Sequence, residues 1–136
     1  MTEEKKQSLH EISKALCVVY NVLLERKEVG FPLTDDNIEK LDSAVKTVYA
    51  NYFGLERFPS HQEKAAAFFC LIIKDHFFTD CNKRTATLWL QVYADVNKLV
   101  ISEKIALDVL AVSVEKAENL EIYNLVQLVT RILFDS

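Results

Sequence analysis

The sequence predicts an all-α domain, a bundle of about six helices with a short flap or hairpin before its central motif. Two observations carry that expectation. Half of the residues are hydrophobic, and along long stretches they recur at three- and four-residue steps. Only two glycines and two prolines interrupt them, too few for a turn-rich β fold. At 136 residues the chain has the length of one ordinary domain, so 1–136 reads as a single unit without repeat, linker or low-complexity segment.

The elements follow in order. Residues 3–26 form an amphipathic helix through Leu9, Ile12, Leu16, Val19 and Leu23. Thr2 caps it, Glu3 and Glu4 suit its first turn, and Gly30 and Pro32 end it. Thr34 caps a second helix, whose buried stripe is Ile38, Leu41, Val45, Val48 and Tyr52 and whose stop is Gly54. Residues 53–59 are a loop, hairpin or flap. Ser60 and Glu63 make a capping box for a helix over 61–76 that is apolar on nearly all sides and therefore central. A further helix runs over 83–96 with Ala86, Trp89, Leu90, Tyr93 and Val96 inward, followed by a turn and extended segment over 97–101. Ser102 caps the next helix, which reaches Lys116 and breaks at Asn119, and residues 121–134 form the last one.

Composition narrows the functional classes. A net charge of −4 argues against a general nucleic-acid or acidic-membrane binder. Cys17, Cys70 and Cys81 are odd in number and lack metal spacing, which fits free thiols in a reducing cytosol. The polar N-terminus is no signal peptide, and the longest apolar run, 65–73, is too short to span a bilayer. A cytoplasmic protein without a membrane partner is expected. His10 and His61 read as helix-surface residues.

Residues 76–84, H-F-F-T-D-C-N-K-R, concentrate a base, an acid, an amide and two cations between two apolar helices. Chemistry gathers on such connections. The start of the following helix offers unpaired N–H groups and a positive dipole end to phosphate, and Lys83 and Arg84 add charge there. Asn82 can orient an oxygen, Asp80 can hold a Mg2+ that bridges phosphate oxygens, and His76 can take a proton from an incoming hydroxyl. Phe78 would turn inward as an anchor. The residues alone equally fit a helix–loop–helix connection whose polar groups are only caps. A metal site on His76, Asp80 and Cys81 is a third reading that lacks a fourth ligand at sensible spacing.

The stretch resembles the Fic/Doc signature, H-x-F-x-D/E-G/A-N-G/K-R, in every chemical position but one, and it continues as Thr85-Ala86, as Doc-type members commonly do. The preceding helix and the 97–118 region also resemble Doc, so the likeness covers about 53–133, with the first fifty or so residues similar only in being helical. The resemblance implies an enzyme that uses ATP and Mg2+ to modify a protein hydroxyl. His76 would be the base and Asp80 the metal ligand. Cys81, Asn82, Lys83 and Arg84 would bind nucleotide phosphate, with backbone N–H groups forming an anion nest. Residues Phe53, Gly54, Leu55, Glu56, Arg57 and Phe58 would be the flap that docks the target by strand addition.

Lys83 stands where AMP-transferring members usually carry glycine and where Doc carries lysine. This implies a Doc-like toxin, a kinase passing the γ-phosphate to a translation factor such as elongation factor Tu, with AMPylation or another nucleotidyl transfer as the alternative. A non-catalytic helical binding module that keeps the fold is the other class. Cys81 replaces the family's Gly or Ala, and the helix start can make it reactive where burial would leave it inert. Phe77 replaces the usual proline. The family's inhibitory motif, Ser/Thr-x-x-x-Glu-Gly/Asn, looks absent: Glu118-Asn119 is preceded at the required place by Val114, with Ser113 out of register. Inhibition would then come from an antitoxin tail that folds onto the toxin.

Overall fold

Thr2 accepts the Lys5 N–H at 3.1 Å, and Glu3 and Glu4 occupy the first turn of α1 (Glu3–Glu25). The structure, a computed structural model, describes residues 2–78 and 81–134. Leu9, Leu16, Val19, Tyr20 and Leu23 make the buried face of α1. Its end differs from the glycine stop expected. Lys27 takes a left-handed φ of 60°, and the Lys27 and Glu28 N–H groups return to the Leu24 and Leu23 carbonyls at 3.0 and 2.9 Å. That is a Schellman ending built on lysine, three residues before Gly30.

Helix α2 (Asp35–Val48) opens with a reciprocal box: Asn37 N–H to Thr34 Oγ1 at 3.1 Å, and Thr34 N–H to Asn37 Oδ1 at 2.9 Å. Leu41, Ala44, Val45 and Val48 are buried along it. Tyr52, expected on the same stripe, lies beyond the helix end and is 58% exposed. It belongs to a hairpin, β1 (Asn51–Tyr52) against β2 (Leu55–Glu56), with Asn51 opposite Glu56 and Tyr52 opposite Leu55. The turn residues Phe53 and Gly54 both have positive φ, 54° and 81°, as a two-residue I′ turn requires.

Helix α3 (His61–Lys74) starts where Ser60 Oγ accepts the Glu63 N–H at 3.0 Å. Every residue from 64 to 73 is buried. It lies at the centre, packed against α2, α4 (Asn82–Val96), α5 (Leu107–Lys116) and α6 (Ile122–Phe134). Phe68 meets Trp89 edge-on, with ring centroids 5.5 Å apart, and Tyr93 at 5.3 Å. Two expectations on this side fail. Val96 is 74% exposed, because the α4 face that reaches α3 ends with Tyr93 and Ala94. Ser102 caps no helix: α5 begins at Leu107 after an Ala106 that gives no side-chain cap. The Ser102 N–H instead donates to the Leu133 carbonyl at 2.7 Å, tying that segment to the end of α6. Among the described residues no helix is long and apolar enough to cross a membrane.

Phe78 is buried and stacks on Tyr20, with centroids 4.4 Å apart and planes at 17°. Phe78→Ala should therefore lower stability by about 3–5 kcal/mol, read as a drop in the urea midpoint at unchanged m-value.

Candidate active site

The nine-residue stretch begins where α3 lets go. Lys74 Nζ reaches past the helix to the Ala117 carbonyl, and also to that of Glu115 at 3.3 Å. It thus caps the C-terminal end of α5. His76 follows outside α3, exposed and left-handed with φ 48°. The sequence reading kept it in the helix; its actual place is a turn that frees the imidazole from the helix surface.

Phe77 and Phe78 then plunge inward, both buried. Phe78 is the anchor expected. Phe77 shares that work, and its carbonyl accepts from Asn37 Nδ2 at 2.7 Å, so the cap of α2 also holds the loop. Thr79 and Asp80 lie outside the described residues, and with Asp80 goes the expected metal ligand. Among the described residues no three His, Cys, Asp or Glu side chains gather as a metal site.

Cys81 is the N-cap residue of α4 and is left-handed, with φ 57° and ψ 41°. A residue with a Cβ is strained there, and glycine is not. Its thiol is half-buried and donates to the Glu28 carbonyl at 3.3 Å. Cys81 gives no side-chain cap to α4, and the first turn of α4 holds no acid. Thr2, Thr34 and Ser60 all cap the helices that follow them. The start of α4 thus differs from these three in lacking a side-chain cap from its N-cap residue and an acid in its first turn.

The side chains around this start are already engaged. Asn82 Oδ1 accepts the Phe78 N–H at 2.9 Å, and Asn82 Nδ2 donates to the Phe78 carbonyl at 3.1 Å. The amide expected to hold phosphate thus closes the loop across its own mouth. Lys83 Nζ pairs with Glu115 Oε2 at 2.7 Å, and that hydrogen bond, with the Lys83 charge, holds the Glu115 carboxyl below the usual range. Arg84 Nη1 donates to the Glu28 carbonyl, the acceptor that Cys81 also uses. Lys83 and Arg84 line a cleft of about 390 Å3 with Arg26, Leu23, Leu88 and Val112. Cys81 and Asn82 do not line it, although Glu28, whose carbonyl Cys81 reaches, does.

Sequence reasoning missed Asn37, Glu28 and Glu115. Only the Thr34–Asn37 spacing carried a local signal, and it spoke of a cap. The flap also needs one correction. Phe53 and Leu55 are fully or largely exposed, but Phe58 is buried and stacks on Tyr123 at 5.9 Å. Phe58 is the hairpin's anchor, because the chain must turn inward there to enter α3. The other two thiols are set by burial: it raises Cys17, with Asp42 adding to the shift, and pushes Cys70 up to about 12.

Asn82→Ala strips two backbone partners at once and should cost about 1–3 kcal/mol in chemical denaturation, even without nucleotide. At position 81 the strain predicts an order: Cys81→Gly should be more stable than Cys81→Ala by about 1 kcal/mol, since both lose the thiol and only alanine keeps the left-handed penalty.

A sequence model of the Fic/DOC family matches residues 8–94. The match takes in α1, α2, the hairpin, α3, the motif turn and most of α4. No curated protein and no solved structure gives a significant match. With well over half of its length under one family model, and the motif at the turn between the two helices that pack most closely, the chain belongs to the Fic/DOC family.

Proposed function

We propose that this protein is a Doc-like enzyme that transfers the γ-phosphate of ATP to a hydroxyl of a protein. Members of the family transfer nucleotide or phosphate groups to proteins and take ATP-type nucleotides as substrates. One observation carries the reading: a helix start that Cys81 does not cap and whose first turn holds no acid but Lys83 and Arg84, a few residues after an exposed histidine outside its helix. The nest receives phosphate oxygens. Lys83 and Arg84 neutralise the charge that develops as the terminal phosphoryl group moves. His76 takes the proton of the incoming hydroxyl while its oxygen bonds to phosphorus; the bond from phosphorus to the bridging oxygen breaks, and ADP leaves.

Asp80 has the hard oxygen chemistry that would hold a Mg2+, and the ion would supply further charge neutralisation. The exposed hairpin docks the extended target segment by strand addition, and its outward Tyr52, Phe53 and Leu55 give that contact apolar grip. A translation factor is the target class that the Doc likeness favours. An antitoxin tail over the cleft of Lys83 and Arg84 would supply inhibition.

A second reading has its own observation. Lys83 is held by Glu115 at 2.7 Å on α5, so a lysine at the place where AMP-transferring members carry glycine does not by itself decide the reaction. Nucleotidyl transfer, with attack at the α-phosphorus and loss of pyrophosphate, is then open to the same residues.

The two separate with ATP labelled at the α or the γ phosphate, mixed with the protein, Mg2+ and a bacterial lysate. Label from the γ position alone on a protein band, absent with His76→Ala, is the expected outcome. Label from the α position establishes nucleotidyl transfer instead, and no label from wild type with intact ATP binding leaves the binding module.

A further inference from the structure

Lys64 is the one lysine of the described residues that is buried, only 3% exposed. Its position is unfavourable twice over. It stands in the first turns of α3, where the helix dipole disfavours a cation, and it lies where water cannot solvate it. Three partners offset this. Nζ donates to the Phe58 carbonyl, pairs with Glu56 Oε1 at 3.4 Å, and lies 5.2 Å from the centre of the Tyr49 ring.

All three partners flank or belong to the hairpin. Tyr49 precedes β1, Glu56 ends β2, and Phe58 is the plug that follows it. The hairpin otherwise stands free. Its strands pair with each other, and the Arg57 N–H closes the base on the Ala50 carbonyl at 3.0 Å. Among the described residues, the Lys64–Glu56 pair is the only side-chain hydrogen bond or ion pair between a strand residue and the helical body. In a two-stranded ribbon, marginal by itself, one such contact sets the stance. Alternation along β2 turns Glu56 to the face opposite Leu55, which is 75% exposed and free for a partner.

The geometry points to Lys64 as the positioning residue of the hairpin: through Glu56 and the Phe58 carbonyl it fixes the angle at which the hairpin presents its edge to a protein target. This rests on the reading that the hairpin docks the target. The Lys64 ammonium is taken up by Glu56, the Phe58 carbonyl and the Tyr49 ring, away from the motif residues, so its effect belongs in target affinity and not in the chemical step.

The test compares wild type, Lys64→Met and Glu56→Gln. Exchange of the Leu55 and Arg57 backbone amides is followed against that of Phe69 in α3. Label transfer from ATP is followed as a function of the concentration of the purified acceptor band. Lys64→Met should speed exchange at Leu55 and Arg57 by about tenfold with Phe69 unchanged. It should raise KM for the acceptor by about tenfold, with kcat and ATP affinity within about twofold. Glu56→Gln should move both in the same direction by less, and it carries the test if Lys64→Met does not fold, because Glu56 is at the surface. Unchanged hairpin exchange in a folded variant overturns the inference. So does a loosened hairpin with unchanged KM, which makes Lys64 a structural lysine only. If wild type transfers no label, the docking reading itself fails and this role with it; if wild type transfers and the variants match it, only the present inference fails.

Discussion

Over residues 64–73 helix α3 has no solvent face, and the rest of the fold follows from that. Ten consecutive residues, 64 to 73, are buried, so neighbours must surround the helix instead of lining one side of it. Helices α2, α4, α5 and α6 all contact it. Ala65, Ala66 and Ala67 keep the N-terminal half narrow, and Phe68, Phe69, Ile72 and Ile73 fill the space beyond. A helix fixed on every side has two fixed ends. One carries Lys64 under the hairpin; the other carries Lys74 to the end of α5 and releases His76 into the motif turn.

That turn must reverse the chain within a few residues and still leave an open helix start. Left-handed backbone at His76 and again at Cys81 makes the reversal. Two inward phenylalanines, with Asn37 and Asn82 on the backbone between them, hold it. The strain is local and the restraint comes from α1, α2 and α4, the usual arrangement where conformation is part of the chemistry. Cysteine at the second left-handed position costs more than glycine would, and its bond to Glu28 recovers part of that.

Electrostatics at the same place is balanced from a distance. A helix start is normally settled by a capping hydroxyl and an acid in its first turn. Here Lys83 finds its carboxylate on α5, and Arg84 finds a carbonyl at the end of α1. Both partners are at or near the surface, so these contacts are weak enough for a phosphate to compete with them. The Schellman ending at Lys27 is what brings the Glu28 carbonyl within reach of α4.

The sequence by itself determined the helices, three of the four Ser/Thr caps expected, the hairpin and the motif, because each is written within about four residues of itself. It expected His76 at the end of α3, and the fold puts it just beyond, in a left-handed turn. Tertiary structure decided the rest. Tyr52 and Val96 left the core because the packed faces of α2 and α4 ended before them. Ser102 gave its N–H to α6 and capped nothing. Asn82 closed the loop, Lys83 joined Glu115 across 32 residues, and Asn37 held Phe77 across 40. Lys64, a helix-surface residue by type, became the buried tie to the hairpin. A local pattern says which face of a helix is apolar; which polar group a side chain meets depends on chain segments that only packing around α3 brings together.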